Sequence, residues 1–221
     1  MNKIIPFYYD INLDSLYFNN LKYKKKENCY KSKIKYLEES NSLSDLLFQT
    51  DEVILNDIIL DENGDYFLKA DIINNDLFEF FFNLENKIKN NVYAKSKEWF
   101  NIEPSEKIKE IYKSLFDLPL LLDKPPCLKI KIPISKGCIK SKFFDKNKEM
   151  ISINQLQNNT RIKLIIKINN IELLESEYKL DIYLYQLQMS NLINLDLNNF
   201  FEESDEDIIL SNSEDEDFNI C

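Results

Sequence analysis

Residues 127–189 contain four successive segments in which apolar and polar side chains alternate: "CLKIKIPI", "CIKSKFFD", "TRIKLIIKI" and "YKLDIYLYQLQM". Neighbouring residues of a strand point to opposite faces, so this two-residue period specifies β-structure and rejects helix. In the first segment Leu128, Ile130 and Ile132 share one face, and Lys129 and Lys131 the other. The second sets Ile139, Ser141 and Phe143 against Lys140, Lys142 and Phe144. The third sets Ile162, Leu164, Ile166 and Ile168 against Arg161, Lys163 and Lys167. The fourth sets Tyr178, Leu180, Ile182 and Leu184 against Lys179, Asp181, Tyr183 and Tyr185. Four strands, each with an aliphatic face and a face of bases and aromatics, describe an antiparallel sheet with one wet side.

Earlier segments add to this sheet. "NCYKSKIKYL" places Lys31, Lys33 and Lys35 opposite Tyr30, Ile34 and Tyr36. "DEVILNDIIL" and "DYFLKADII" flank Asn63-Gly64, a dipeptide suited to the left-handed backbone of a hairpin turn. The period then changes. Leu77, Phe81, Leu84, Ile88 and Val92 recur at spacings of three and four, which predicts an amphipathic helix from Asn75 to about Trp99. "EPSEKIKEIYKSLF" predicts a second helix with Ser105 as cap, stopping before Pro119. Trp99 is the only tryptophan, and its place at a helix end suits a core anchor or a base-stacking ring.

Several classes of chemistry are excluded by composition. With no histidine, neither Ser-His-Asp nor Cys-His catalysis is available, nor His-ligated zinc. The two glycines, Gly64 and Gly137, cannot build a phosphate-cradling loop. The carboxylates Asp57, Asp61, Asp65 and Asp71 surround a turn and lack the order of a calcium loop. The chain is therefore expected to be no enzyme, with no metal and no cofactor. Cys29, Cys127, Cys138 and Cys221 are scattered and read as free thiols. Neither a signal-peptide pattern nor an apolar run long enough to span a bilayer is present, so no membrane association is expected.

The charge is unevenly placed. The formal net charge is −10, yet nine of the 38 acids lie between Glu202 and Asp217, which leaves 29 acids against 28 bases elsewhere. The ending "FFEESDEDIILSNSEDEDFNIC" carries no base and is too charged to bury itself. It is open to three readings: a solubilising extension, a phosphate mimic that covers the lysine face, or a docking peptide presenting Phe218 among Asp215, Glu216 and Asp217. The strand face is likewise open to two. Cations that follow phosphates, interleaved with rings on which bases stack, suit single-stranded nucleic acid. The same pattern also suits an ordinary solvated sheet face in a lysine-rich chain.

"NVYAKSKEWF" leading into "IKEIYKSL", then "KPPCLKIKIP", "IKSKFFDKNKEMI" and "YLYQLQM", resembles a family of single-stranded DNA-binding proteins from nucleocytoplasmic large DNA viruses, poxvirus- and asfarvirus-like, over residues 85–189. The acidic ending with a late aromatic resembles the same family, which carries glycine where this chain has Asn101. The resemblance implies an α+β architecture: an OB-like antiparallel β-barrel or sheet over residues 1–197, two inserted helices at about 75–117, and a disordered acidic tail at 198–221. It implies binding of single-stranded DNA in viral replication or repair, without strong sequence preference. Lys31, Lys33, Lys35, Lys129, Lys131, Lys140, Lys142, Arg161, Lys163 and Lys167 would meet phosphates, and Phe144, Tyr183 and Tyr185 would stack bases. The tail would regulate binding or recruit viral replication proteins through Asp215, Glu216, Asp217 and Phe218. Self-association is a further implication. So is a location at replication sites in the host cytoplasm, with virion and nucleus as other options. The alternative is a viral interaction or virion structural protein that binds no nucleic acid.

Overall fold

Alternating segments become strands because each can bury its aliphatic face against the others while the opposite face stays in contact with water. The computed structural model describes residues 4–25, 27–62, 64–101, 103–117 and 124–190. Eight strands carry the architecture: β1 (Cys29–Leu37), β2 (Leu46–Gln49), β3 (Val53–Leu60), β4 (Tyr66–Asp71), β5 (Cys127–Ile132), β6 (Lys142–Phe144), β7 (Arg161–Leu173) and β8 (Tyr178–Met189). The helices are α1 (Asn75–Ala94), α2 (Ser96–Phe100) and α3 (Lys107–Glu110).

β3 and β4 form the expected hairpin, with Leu60 opposite Tyr66 and Gly64 at φ 80°. Asn63 lies outside the described residues. β4 pairs antiparallel with β5, and β5 pairs parallel with β8 through Lys131 and Tyr183. β8 pairs antiparallel with β7, and β7 returns to β3 through Arg161–Ile54 and Ile162–Val53. The pairings thus run in a circuit, β3–β4–β5–β8–β7–β3. β6 continues the line of β5, lying parallel to β8 at residues 186–188. Beyond its contact with β3, the same edge of β7 takes β2 at residues 165–168 and β1 at residues 170–173.

The circuit encloses Val53, Leu55, Leu68, Ala70, Leu128, Ile130, Ile132, Ile162, Leu164, Ile166 and Ile168, all without exposed surface. Burying a large aliphatic side chain contributes about 1.5–3 kcal/mol, so this set and the face of α1 hold the domain together. On that helix Leu77, Phe81, Leu84, Ile88 and Val92 are fully buried, as their spacing predicts. Asn74 caps it by accepting from the Asp76 and Leu77 backbone N–H groups. Trp99 packs against the core, with Lys95 Nζ 5.3 Å from its ring centroid. Asn101 takes the left-handed conformation at φ 55°, which asparagine tolerates better than most residues, and so ends α2 without a glycine.

Three expectations need correction. The second helix covers only Lys107–Glu110, because buried Glu85 of α1 draws the following chain into an extended path. Its carboxylate accepts from Leu115 N (2.6 Å), Ser114 Oγ (2.9 Å) and Tyr112 OH (3.2 Å). Glu106 rather than Ser105 occupies the cap position. "CIKSKFFD" is not one strand. Cys138–Ile139 pairs with Ile134–Ser135 in a small hairpin, and the buried Ser141 donates to Leu184 O (2.7 Å) before β6 begins. Finally, the outer face of β7 is not wet throughout. A register shift between Ile165 and Ile166 breaks the alternation, and Ile5 with Leu47 covers Ile165 from outside. Residues 191–197 and the tail lie outside the described residues.

Candidate functional site

Registry across the circuit places outward side chains in rows. One row runs Ile59 (β3), Phe67 (β4), Lys131 (β5), Tyr183 (β8), Lys167 (β7) and Leu47 (β2). Its four central members alternate ring, cation, ring, cation on four adjacent strands, which lie about 4.8 Å apart. A second row sets Asp57, Lys69 and Lys129 side by side. Phe67 is half-buried, and Lys129 Nζ sits 4.2 Å from its ring centroid, so the ring is held in place beneath a cation. Farther along the β5 line, Lys142 and Phe144 face outward while Phe143 is buried, and Lys163 of β7 lies across Gln188 from Phe144.

The expected residues divide into groups. Lys129, Lys140, Lys142 and Lys163 have no carboxylate partner among the described residues. Lys131 meets Asp65 (2.5 Å), and Arg161 meets Glu52 (3.2 Å), each at the margin of the circuit. Lys33, Lys35 and Lys167 converge on Asp45. Lys31 does not face solvent. It is 8 % exposed and bound to Glu172 (2.5 Å) and Glu27, because β1 at that point packs against the half-buried end of β7. Tyr185 is the unpaired residue where the β7–β8 register shifts. It is exposed and lines a cleft of about 910 Å³ with Tyr36, Asp45 and Leu47, at the β2 end of the central row. Asp215, Glu216, Asp217 and Phe218 lie outside the described residues.

Phe67, Lys69 and Asp45 are additions to the expected set. "DYFLKADII" carries the signal for the first two, since Phe67, Lys69 and Asp71 alternate with Leu68 and Ala70, as in the later strands. Asp45 has no such signal. It sits between the short strand Leu43–Ser44, which pairs with β1, and β2, which pairs with β7.

Electrostatics follow these contacts. Burial works to raise the Asp45 pKa, but hydrogen bonds from Lys167 and Lys35 outweigh it and hold the carboxyl well below the usual range. Burial raises the Tyr183 phenol, with Asp181 adding to the effect, so the ring stays neutral at physiological pH. Burial and then Glu172 raise the Asp181 carboxyl, against hydrogen bonds that include Asn169. The Cys127 thiol, beside Lys129 in sequence, is pushed up to about 12 by burial and its hydrogen bond to Asp71, which leaves it unreactive.

No protein-family model matches the chain. No curated protein matches it. Among solved structures, it is similar to the single-stranded DNA-binding protein from bacteriophage Enc34. A C-terminal truncation of that protein has a TM-score of 0.47 and 7 % identity, covering 72 % of this chain and 91 % of that one. Its complex with single-stranded DNA has a TM-score of 0.46 and 8 % identity, with coverage of 72 % and 91 %. A third structure of the same protein has a TM-score of 0.45 and 8 % identity, with coverage of 78 % and 89 %.

Proposed function

We propose that the strand circuit is a small OB-like barrel whose outer row binds single-stranded DNA without strong sequence preference. The observation that carries this reading is the alternation of Phe67, Lys131, Tyr183 and Lys167 across β4, β5, β8 and β7. A single strand presents a phosphate and a flat base at every step, so its recognition needs cations and rings interleaved. Stacking of a base on a protein ring contributes about 1–3 kcal/mol and tolerates any base. Lys129, Lys142 and Lys163, with no carboxylate partner among the described residues, extend the cationic track on either side of the row. The partly exposed pair between Lys131 and Asp65 is worth about 1 kcal/mol, so a phosphate can compete for that lysine.

The viral family, the place in replication or repair and the host-cytoplasmic location belong to this proposal and are supported by the resemblance of residues 85–189. The acidic residues from Glu202 to Asp217 carry charge opposite to the row and compete for it, or recruit partners through Phe218. The test is anisotropy of labelled oligo-dT across a salt series, with the full chain and a chain ending at Asn199. The expected slope of log K against log salt is about −0.7 per phosphate neutralised. The shortened chain is expected to bind tighter. Absence of binding by either chain at low salt refutes the reading.

A further inference from the structure

We infer that Asp45 is a resident substitute for phosphate: it gathers Lys33, Lys35 and Lys167 into an anion site that a backbone phosphate takes over when a strand binds. The inference rests on the single-strand reading for the identity of the ligand. The site itself is visible in the geometry. β1 and β7 pair only at residues 170–173, and the chain crosses between them through Leu43–Ser44 and β2. Asp45 sits at this crossing and receives lysines from both strands: Lys35 Nζ at 2.6 Å, Lys33 Nζ at 3.4 Å, and Lys167 Nζ on the other carboxylate oxygen.

Three ammonium groups share one carboxylate, so two positive charges are left over within the cluster. None of the three lysines has a second carboxylate partner among the described residues. The cluster is also within reach of solvent, since Lys33 is 44 % exposed and Asp45 27 %. A phosphodiester has one negative charge and two non-bridging oxygens, the same charge and a similar pair of acceptors as a carboxylate. Exchanging one for the other leaves every lysine partnered. Lys167 belongs to the central row, next to Tyr183, so a strand on that row reaches the cluster at the edge of the cleft, which Asp45 lines but none of the three lysines does. Asp10, Glu38 and Glu39 line the cleft and repel a polyanion from it.

In this account Asp45 weakens binding and keeps the lysines assembled when no strand is bound. Asp45→Asn is therefore expected to bind oligo-dT about fivefold tighter at low salt, the effect of removing one unit charge a few ångströms from a phosphate in water. Its salt slope is expected to steepen by about 0.7, one phosphate. Equal or weaker binding by folded Asp45→Asn overturns the inference. If that variant does not fold, Lys33→Ala decides, since Lys33 is the most exposed and most distant of the three. An affinity loss of about fivefold at unchanged melting temperature supports the site, and unchanged affinity refutes it. Melting in inorganic phosphate against chloride at equal ionic strength separates the two claims. Stabilisation of Asp45→Asn by phosphate, with no oligo-dT binding by any form, keeps the anion site and removes the strand reading. Absence of both phosphate stabilisation and tighter oligo-dT binding in Asp45→Asn refutes the site.

Discussion

Two rows of the sheet differ in one respect that sets their roles. At one end of β7 the register aligns Lys22, Lys31, Glu172, Lys179 and Lys113 across β1, β7, β8 and the short flanking strands Lys22–Lys24 and Tyr112–Lys113. Near its middle the register aligns Phe67, Lys131, Tyr183 and Lys167. The first row has a carboxylate at its centre. Glu172 binds Lys31 at 2.5 Å and Lys179 at 3.5 Å, and the pair it forms with Lys31 is largely removed from water. The second row has a ring between its cations, and its carboxylates, Asp65 and Asp45, come from connecting segments at the margins. A carboxylate inside the row makes the lysines struts. Rings inside the row leave the lysines to an outside anion.

The largest test of this contrast acts on stability. Glu172→Gln leaves the buried Lys31 with Glu27 as its one remaining carboxylate and is expected to cost about 1.5–3 kcal/mol by urea unfolding, with oligo-dT affinity of the folded protein unchanged. Burial works to raise the Glu172 pKa, but Lys31 outweighs it and holds the carboxyl below its usual range. Its contribution is therefore complete above the ordinary carboxylate pKa and lost as pH falls through the lower folded value. The variant lacks that acid-side loss, which urea titrations between pH 7 and acid will reveal. A lost affinity at full stability would place the strand on the wrong row.

Phe67→Ala comes next. It removes one stacking ring and is expected to weaken oligo-dT binding by about 1–3 kcal/mol, or about 5- to 150-fold, with little change in the salt slope. Lys129→Ala combined with Lys142→Ala has a smaller effect on affinity at physiological salt, but it lowers the slope by about 1.4, two phosphates. Its melting temperature is expected to fall by no more than about 2–4 °C, since neither ammonium has a carboxylate partner among the described residues and the Lys129 contact with the Phe67 ring is worth about 0.5–1 kcal/mol. The smallest effect is expected from Asp181→Asn. The raised pKa of this buried carboxyl means that wild-type stability falls as pH rises from the ordinary carboxylate value through the raised one. The variant removes that loss, so its melting temperature gains a few degrees at neutral pH and none in acid, as calorimetry would record.

Much of the fold is legible in the sequence because periodicity is local. The alternation in β5, β7 and β8, the Asn63-Gly64 turn and the three-four spacing of α1 each identify an element without knowledge of its neighbours. What is not legible is long-range. Glu85 shortens the second helix by accepting a hydrogen bond from Leu115, thirty residues away, and no pattern within "EKIKEIYKSLF" announces it. The candidate site divides in the same way. Lys31 and Lys129 follow the same alternation, and only the register, with Glu172 opposite one and Lys69 opposite the other, separates strut from surface cation. Phe67 was within reach of the pattern. Asp45, which acts through residues on two strands that the sequence keeps far apart, was not.

The most direct test of the central claim is photo-cross-linking of oligo-dT containing 5-iododeoxyuridine, with the adducts located by mass spectrometry. Iodouracil cross-links preferentially to aromatic rings it stacks against. Adducts at Phe67 and Tyr183 are the predicted result. Adducts confined to Tyr23, Tyr30 or Tyr185, all exposed and all off the central row, would contradict it.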